Sequence, residues 1–259
     1  MGHAVLTFRP AFLAQKSLSK DTALYHIFPF KTFEQVIKNQ SLCFRKIVKW
    51  PDTYEYPIRL MPESRKKVIE KRLFGFCLTR RFDKEAMWKM YSGEDGCGIC
   101  IKTTVSSFCQ AIRNVYTNAF IGNVQYVSYL ENNPEKMFDE KIKFEYPDYM
   151  YPAYLKRDAF SYEEEVRLLV YETEDILNTV RDHLKVGIEN MQFIHEIILS
   201  PYYQEDKKTE VFDLCKKYNI SPQIYQSGLI NRMNEDGFLL PGENEVYWGR
   251  PMGGYDVLV

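Results

Sequence analysis

The apolar positions of this chain fall into short runs separated by polar and proline-bearing stretches. Residues 23–28 (ALYHIF) read as a strand that Pro29 ends. Phe33, Val36 and Ile37 then recur on one face of a helix over 32–39, with Thr32 as its N-cap. Residues 42–45 form a second strand, and a loop over 47–61 with two prolines follows. Residues 63–72 read as a helix with a basic face of Arg65, Lys66, Lys67, Lys71 and Arg72. The run LFGFCLT over 73–79 is a strand, followed by a helix over 83–91 that Asp83 caps and that spaces Met87, Trp88 and Tyr91 helically. A Gly-rich turn over 93–98 leads into a strand at 99–101, then a helix over 105–112 and a strand over 124–129.

A loop over 144–154 carries Tyr146, Tyr149, Tyr151 and Tyr154. Further on come a polar helix near 175–186, a strand over 194–199, a helix near 205–217 and a strand over 223–225. Residues 1–22 read as an arm and 228–259 as a tail, around a core over about 23–227. With no internal repeat and no linker, the expectation is one domain over 1–259. Short strands with interspersed helices predict a mixed α+β fold.

The stretch KRDAFSYEEEVRLLV over 156–170 is the most informative. Its second half is an apolar strand, and Glu163, Glu164 and Glu165 stand where loop becomes strand. Strand alternation puts Glu163 and Glu165 on one face and Glu164 on the other. Two carboxylates on one face beside a buried strand need a cation, a sugar hydroxyl or a metal to meet them. The plain structural reading is a solvated strand edge with Arg167 as partner.

Composition narrows the setting. The net charge of −1 argues against a protein that coats nucleic acid or membrane by bulk charge. Six cysteines lie mostly inside apolar runs, as reduced thiols do; Cys97 and Cys100 have CxxC spacing without a second pair. No signal peptide and no apolar run of about 20 residues is evident, so a soluble, cytoplasmic protein without membrane contact is expected. There is no GxGxxG, no phosphate-loop motif and no GxSxG. His3, His183 (in the polar helix) and His195 read as structural, whereas His26 stands in an apolar strand and must satisfy its ring nitrogens there.

The order of several segments resembles a family. Tyr25-His26, residues 42–44, residues 50–55, residues 76–79, residues 87–91 with 96–101, residues 162–167 and residues 196–199 follow the pattern of the bacterial family called domain of unknown function 2971. Departures are Pro51-Asp52-Thr53, where the family usually has Asn-Asp-Pro, and Thr79, where it usually has Ser. That arrangement is in turn similar to ADP-ribosyltransferases, which carry an Arg or His on the first strand, a Ser or Thr at a later strand end, and a Glu-x-Glu. His26, Thr79 and the pair Glu163/Glu165 match it, and the helix with Trp88 and Tyr91 resembles the segment that covers nicotinamide.

The resemblance implies an α+β fold of split, mostly antiparallel sheets with flanking helices and NAD in the cleft between them. NAD is then the substrate, with Glu165 as the carboxylate that stabilises the oxocarbenium-like ribose and Glu163 facing the acceptor. His26 holds the adenosine ribose, Thr79 orients Glu165 or the nicotinamide ribose, and Arg80 or Arg81 meets the pyrophosphate. The acceptor is a nucleic-acid base or, as a close alternative, protein arginine, in a toxin or defence effector that a partner protein would neutralise. Basic residues 65–72 with Arg80 and Arg81, beside the tyrosine loop, favour the nucleobase. Two alternatives stay open: a magnesium-dependent nuclease built on Asp52, Glu55, Glu163 and Glu165, and a nucleotide-binding module without turnover.

Overall fold

The computed structural model describes residues 18–50, 72–112, 119–128, 151–171, 182–229 and 255–257. The basic segment 63–71, Asp52 and Glu55, residues 144–150 and most of the arm and tail lie outside them. Two compact units emerge, each gathered from three stretches of chain: 1–22, 41–80 and 112–187 in the first, and 23–40, 81–111 and 188–259 in the second. Both mix strands and helical turns, and strand pairing is mostly antiparallel. The expected α+β class is therefore met.

In the first unit the strands β2 (Ser41–Lys46), β3 (Leu73–Thr79), β5 (Ala119–Asn123), β8 (Glu165–Tyr171) and β9 (His183–Gly187) lie antiparallel in the order β9-β2-β3-β8-β5. Strand β8, between β3 and β5, is buried over Glu165 to Val170, which is why Val166, Leu168, Leu169 and Val170 are apolar on both of its faces. A small parallel pair, β6 (Gln125–Val127) with β7 (Leu155–Arg157), sets Tyr126 opposite Lys156.

In the second unit β1 (Ala23–Pro29), β4 (Gly98–Thr104), β10 (Glu196–Leu199), β11 (Gln223–Ser227) and β12 (Tyr255–Val257) follow one another in the sheet. The β10–β11 pair is parallel and the others antiparallel. The helices are α1 (Phe30–Asn39), α2 (Glu85–Tyr91), α3 (Val105–Ala111) and α4 (Lys208–Lys217). Helix α1 buries Phe33, Val36 and Ile37, the face its sequence spacing predicts.

Several elements differ from expectation for identifiable reasons. Helix α1 starts directly after Pro29 with no side-chain cap, because the Phe30 amide finds the Cys97 carbonyl at 3.1 Å; Thr32 lies inside the first turn. Asp83 does not cap α2, since both its oxygens take the Arg81 guanidinium at 2.8 and 2.7 Å and the helix begins at Glu85. His183 starts a strand, not a helix turn: Leu184 and Val186 are buried at period two against β2. The strand expected over 124–129 is shortened to β6 over Gln125–Val127, because Val124, between β5 and β6, turns its amide aside to the Glu165 carbonyl at 2.9 Å. Strand β10 begins at Glu196 because a helical turn occupies Met191–Phe193.

Gly98 opens β4 where the backbone needs an absent side chain. A Cβ there would stand 2.1 Å from Ser92 Oγ and 3.0 Å from Ser92 Cα, so the neighbour cannot simply rotate away. Gly98→Ala is expected to cost about 1–3 kcal/mol by overpacking. Urea denaturation should show a lower midpoint at unchanged slope; an unchanged midpoint would refute this packing account.

Candidate active site

The register of the first unit assembles the site. Thr79 lies opposite Glu165, Cys77 opposite Arg167 and Gly75 opposite Leu169 across the β3–β8 pair. On the other side of β8, Gly122 of β5 lies opposite Arg167. Small residues on both flanks leave room for a guanidinium in the middle of a sheet. The indole of Trp50 fills the rest: Arg167 Cζ stands 4.2 Å from its ring centroid. A Cβ on Gly75 would come within 2.6 Å of that ring, so glycine at 75 is what admits the indole.

Arg167 is fully buried and grips Glu165 with a fork, Nε to Oε1 at 2.7 Å and Nη2 to Oε2 at 3.0 Å. Its Nη1 donates to the Ala153 carbonyl at 2.6 Å. Lys156 bridges the two carboxylates, 2.5 Å from Glu163 Oε2 and 3.0 Å from Glu165 Oε2. Glu163, Glu165 and Lys156 are 3%, 4% and 6% exposed. Two carboxylates and two cations thus neutralise one another away from water.

The turn before β8 brings the two glutamates together. A helical turn over Asp158–Glu163 ends at Glu164, whose φ of 41° is left-handed, and β8 begins at Glu165. Glu163 and Glu165 therefore converge through a backbone reversal, not through strand alternation. The Thr79 hydroxyl donates to the Glu163 carbonyl, and the Arg80 amide donates to the Glu164 carbonyl at 3.1 Å. The end of β3 thereby ties down the turn. The Glu165 amide donates to the Tyr126 hydroxyl at 2.8 Å, and burial raises the pKa of that phenol.

Burial alone would raise the Glu165 pKa. The Arg167 charge and fork, the Lys156 charge and a hydrogen bond from Cys77 outweigh it and hold the carboxyl at about 2. The carboxylate in turn, after burial itself, pushes the Cys77 thiol well up. The structural alternative named Arg167 as Glu165's partner; the pairing is present, but at a buried position rather than a solvated edge.

The remaining site candidates sort by unit. Arg80, half-buried, reaches Glu164 Oε2 at 3.3 Å. His26, Trp88 and Tyr91 belong to the second unit. His26 lies opposite Ile101 in the β1–β4 pair with its ring 4.1 Å from that of Phe28. Trp88 is fully buried, with Nε1 unmatched by a partner among the described residues, while Tyr91 is 38% exposed. Tyr154 is no stacking surface, since it is buried and donates to the Phe120 carbonyl at 2.9 Å. Among the described residues no group of three or more His, Cys, Asp or Glu is placed to hold a metal ion. No helix among them is long and apolar enough to cross a membrane. Sequence reasoning passed over Lys156, Cys77 and Tyr126 as site residues. Only the lysine carried a signal, as one of two cations, with Arg157, in the stretch that ends in the three glutamates.

These features define a mixed α+β chain with a buried, charge-balanced glutamate pair at a strand start. Residues 87–168, which include the whole Glu-x-Glu segment, match the profile of a family described as "Protein of unknown function (DUF2971)". No curated protein matches the chain. Among solved structures, Thermus sp. 2.9 DarT in complex with ADP-ribosylated ssDNA is similar at 12% identity and a TM-score of 0.39, covering 81% of this chain and 96% of that one. Thermus sp. 2.9 DarT in complex with NAD+ is similar at 11% identity and a TM-score of 0.38, covering 80% and 96%.

The Glu165 pKa makes stability depend on acid in a defined direction. Its folded value of about 2 lies below the ordinary 4.5. The resulting contribution, on the order of 3 kcal/mol, is complete above pH 4.5 and is lost as pH falls through 2. Glu165→Gln should flatten the dependence of unfolding free energy on pH across that window. Arg167→Met should cost about 3–5 kcal/mol by stranding the carboxylate. Denaturant titrations from pH 2 to 7 test both, and equal slopes for wild type and Glu165→Gln would refute the assignment.

Proposed function

We propose that this chain is an ADP-ribosyltransferase that moves ADP-ribose from NAD to a macromolecular acceptor, a nucleic-acid base being favoured over protein arginine. The observation that carries the reading is the Glu165 carboxylate, ionised and shielded from water at the first residue of β8 with Glu163 beside it. In the reaction the bond between nicotinamide and ribose C1′ breaks and its electron pair leaves with the nicotinamide nitrogen. A nucleophile on the acceptor bonds to C1′, and the acceptor's proton passes to water. Positive charge grows on the ribose meanwhile, and a fixed carboxylate in a low-dielectric site stabilises it.

The other residues take roles consistent with their surroundings. Thr79, through the Glu163 carbonyl, sets the position of the glutamate turn. Arg80 can exchange Glu164, about one-third exposed, for a pyrophosphate at small cost. His26 is assigned to the adenosine ribose. Tyr91 is assigned to the nicotinamide face, with the buried Trp88 anchoring α2 beneath it. One domain over 1–259, acting in the cytoplasm where NAD is abundant, fits this reading. An enzyme that modifies the cell's own nucleic acid needs a restraint, so a neutralising partner protein belongs to the proposal.

A second reading has one observation in its favour. Both Glu165 oxygens already accept bonds from Arg167, and Oε2 accepts another from Lys156. A nucleotide-binding module without turnover would leave them so.

Incubation with NAD labelled in nicotinamide, with magnesium or with chelator, separates the readings. The expected result is chelator-insensitive nicotinamide release that falls ~100-fold or more in Glu165→Gln, with circular dichroism confirming a folded variant. His26→Ala should weaken NAD binding in calorimetry. Binding without release points to the module, and magnesium-dependent cleavage of nucleic acid points to the nuclease. Near wild-type release by Glu165→Gln would remove Glu165 from the chemistry.

A further inference from the structure

Glu163 was expected to face the acceptor, where a carboxylate at the first position of the pair could orient a protonated guanidinium. The geometry puts another cation there. Lys156 Nζ stands 2.5 Å from Glu163 and 3.0 Å from Glu165, at a position 6% exposed. Two contacts besides the carboxylates keep it in place. Its strand pairs with β6 so that Lys156 lies opposite Tyr126, the residue whose hydroxyl holds the Glu165 amide. Its ammonium also lies 4.9 Å from the Phe160 ring centroid, a favourable position for a cation over a π face. Arg167 meanwhile donates to both oxygens of Glu165, so a cationic side chain approaching from the acceptor side would find two cations already on the pair.

From this we infer that Lys156 determines acceptor class: it excludes cationic acceptors such as arginine side chains and leaves the site to an uncharged nucleophile, the ring or exocyclic nitrogen or oxygen of a nucleobase. The inference rests on the transferase reading. A guanidinium entering beside Glu163 would meet a carboxylate already neutralised by Lys156, with Arg167 close behind. It would place a third cation against two carboxylates in a region shielded from water, where like charges are poorly screened. An uncharged base meets no such penalty. For such an acceptor the step balances as NAD+ plus acceptor N–H giving acceptor N–ADP-ribosyl, nicotinamide and a proton. Lys156 takes no covalent part in it, so it is a specificity-determining residue and not a catalytic one.

The test offers the purified full chain labelled NAD with agmatine, with an arginine-rich peptide, or with single-stranded oligonucleotides of mixed sequence. Wild type is expected to label oligonucleotide at least 20-fold faster than either guanidinium acceptor. Lys156→Met removes the cation at similar length and leaves an uncompensated negative charge; the agmatine-to-oligonucleotide ratio should rise at least 10-fold. Lys156→Arg keeps the charge and should keep the wild-type preference, which provides a folded comparison if Lys156→Met proves unstable. A purely structural lysine would lower both rates together and leave the ratio unmoved, and that outcome overturns the inference. So does a wild-type enzyme that labels agmatine as readily as oligonucleotide, or a Lys156→Arg variant that labels agmatine as readily as oligonucleotide. Loss of the transferase reading itself would look different: no nicotinamide release from wild type with any acceptor or with water, which takes this inference down with it.

Discussion

The fork between Arg167 and Glu165 is the interaction on which the first unit turns. Taking a guanidinium and a carboxylate into the middle of a sheet costs several kcal/mol of solvation per ion, recovered only when geometry is good and every donor is met. Here each of the three guanidinium nitrogens finds an acceptor: Nε and Nη2 on Glu165 and Nη1 on the Ala153 carbonyl. The flanking residues are chosen for the same end. Cys77 and Gly122 are small enough to leave space beside the guanidinium, and Gly75 lets Trp50 cover its face.

Lys156 completes a balance that Arg167 alone would leave unequal. Glu163 and Glu165 converge because the chain reverses at Glu164, and two buried carboxylates at such a place repel each other without a shared cation. The lysine comes from a three-residue strand whose only sheet partner among the described residues is β6, so its position depends on a parallel pair far smaller than the five-stranded sheet of its unit. The outer rim is built differently. Arg80 and Glu164 meet at 3.3 Å and are both about one-third exposed, so their contact is weak and replaceable. The Arg167–Glu165 fork is fixed and the outer cation is exchangeable, an order of rigidity that matches the proposed permanent carboxylate and visiting anion.

Much of this is legible in the sequence. The strand Leu73–Thr79 is bounded by its own sequence, and the apolar face of α1 follows from its spacing. The convergence of Glu163 and Glu165 was anticipated for the wrong reason. Alternation predicts a shared face, yet the pair is made by a left-handed residue, Glu164, which no sequence rule for glycine or asparagine would mark. Arg167 was read as Glu165's partner but at a solvated edge, because its burial follows from register with Cys77 and Gly122, residues 90 and 45 positions away. Long-range register has no local signature. His183–Gly187 was missed because its alternation spans only five residues, and α2's start was misplaced because Asp83 binds Arg81 instead of a helix amide.

A buried ion network is in itself weak testimony for function, since well-packed apolar residues of similar volume are often as stable or more so. What gives this one weight is where it stands. A purely structural network could sit anywhere along β8, whose residues from Val166 to Val170 are all buried. This one sits at the first residue of the strand, against a turn that Thr79 and Arg80 hold from the neighbouring strand end. Strand ends are where a rigid sheet meets loops able to receive a ligand. A carboxylate placed there is fixed by the sheet on one side and open to replacement of its companions on the other. Arg167 cannot leave without exposing the Ala153 carbonyl and the Trp50 face, whereas Lys156 keeps Glu163 if it lets go of Glu165. The lysine contact at 3.0 Å is thus the member of the network whose loss strands no charge, and under the proposed function Oε2 is the oxygen through which Glu165 would take up a sugar hydroxyl.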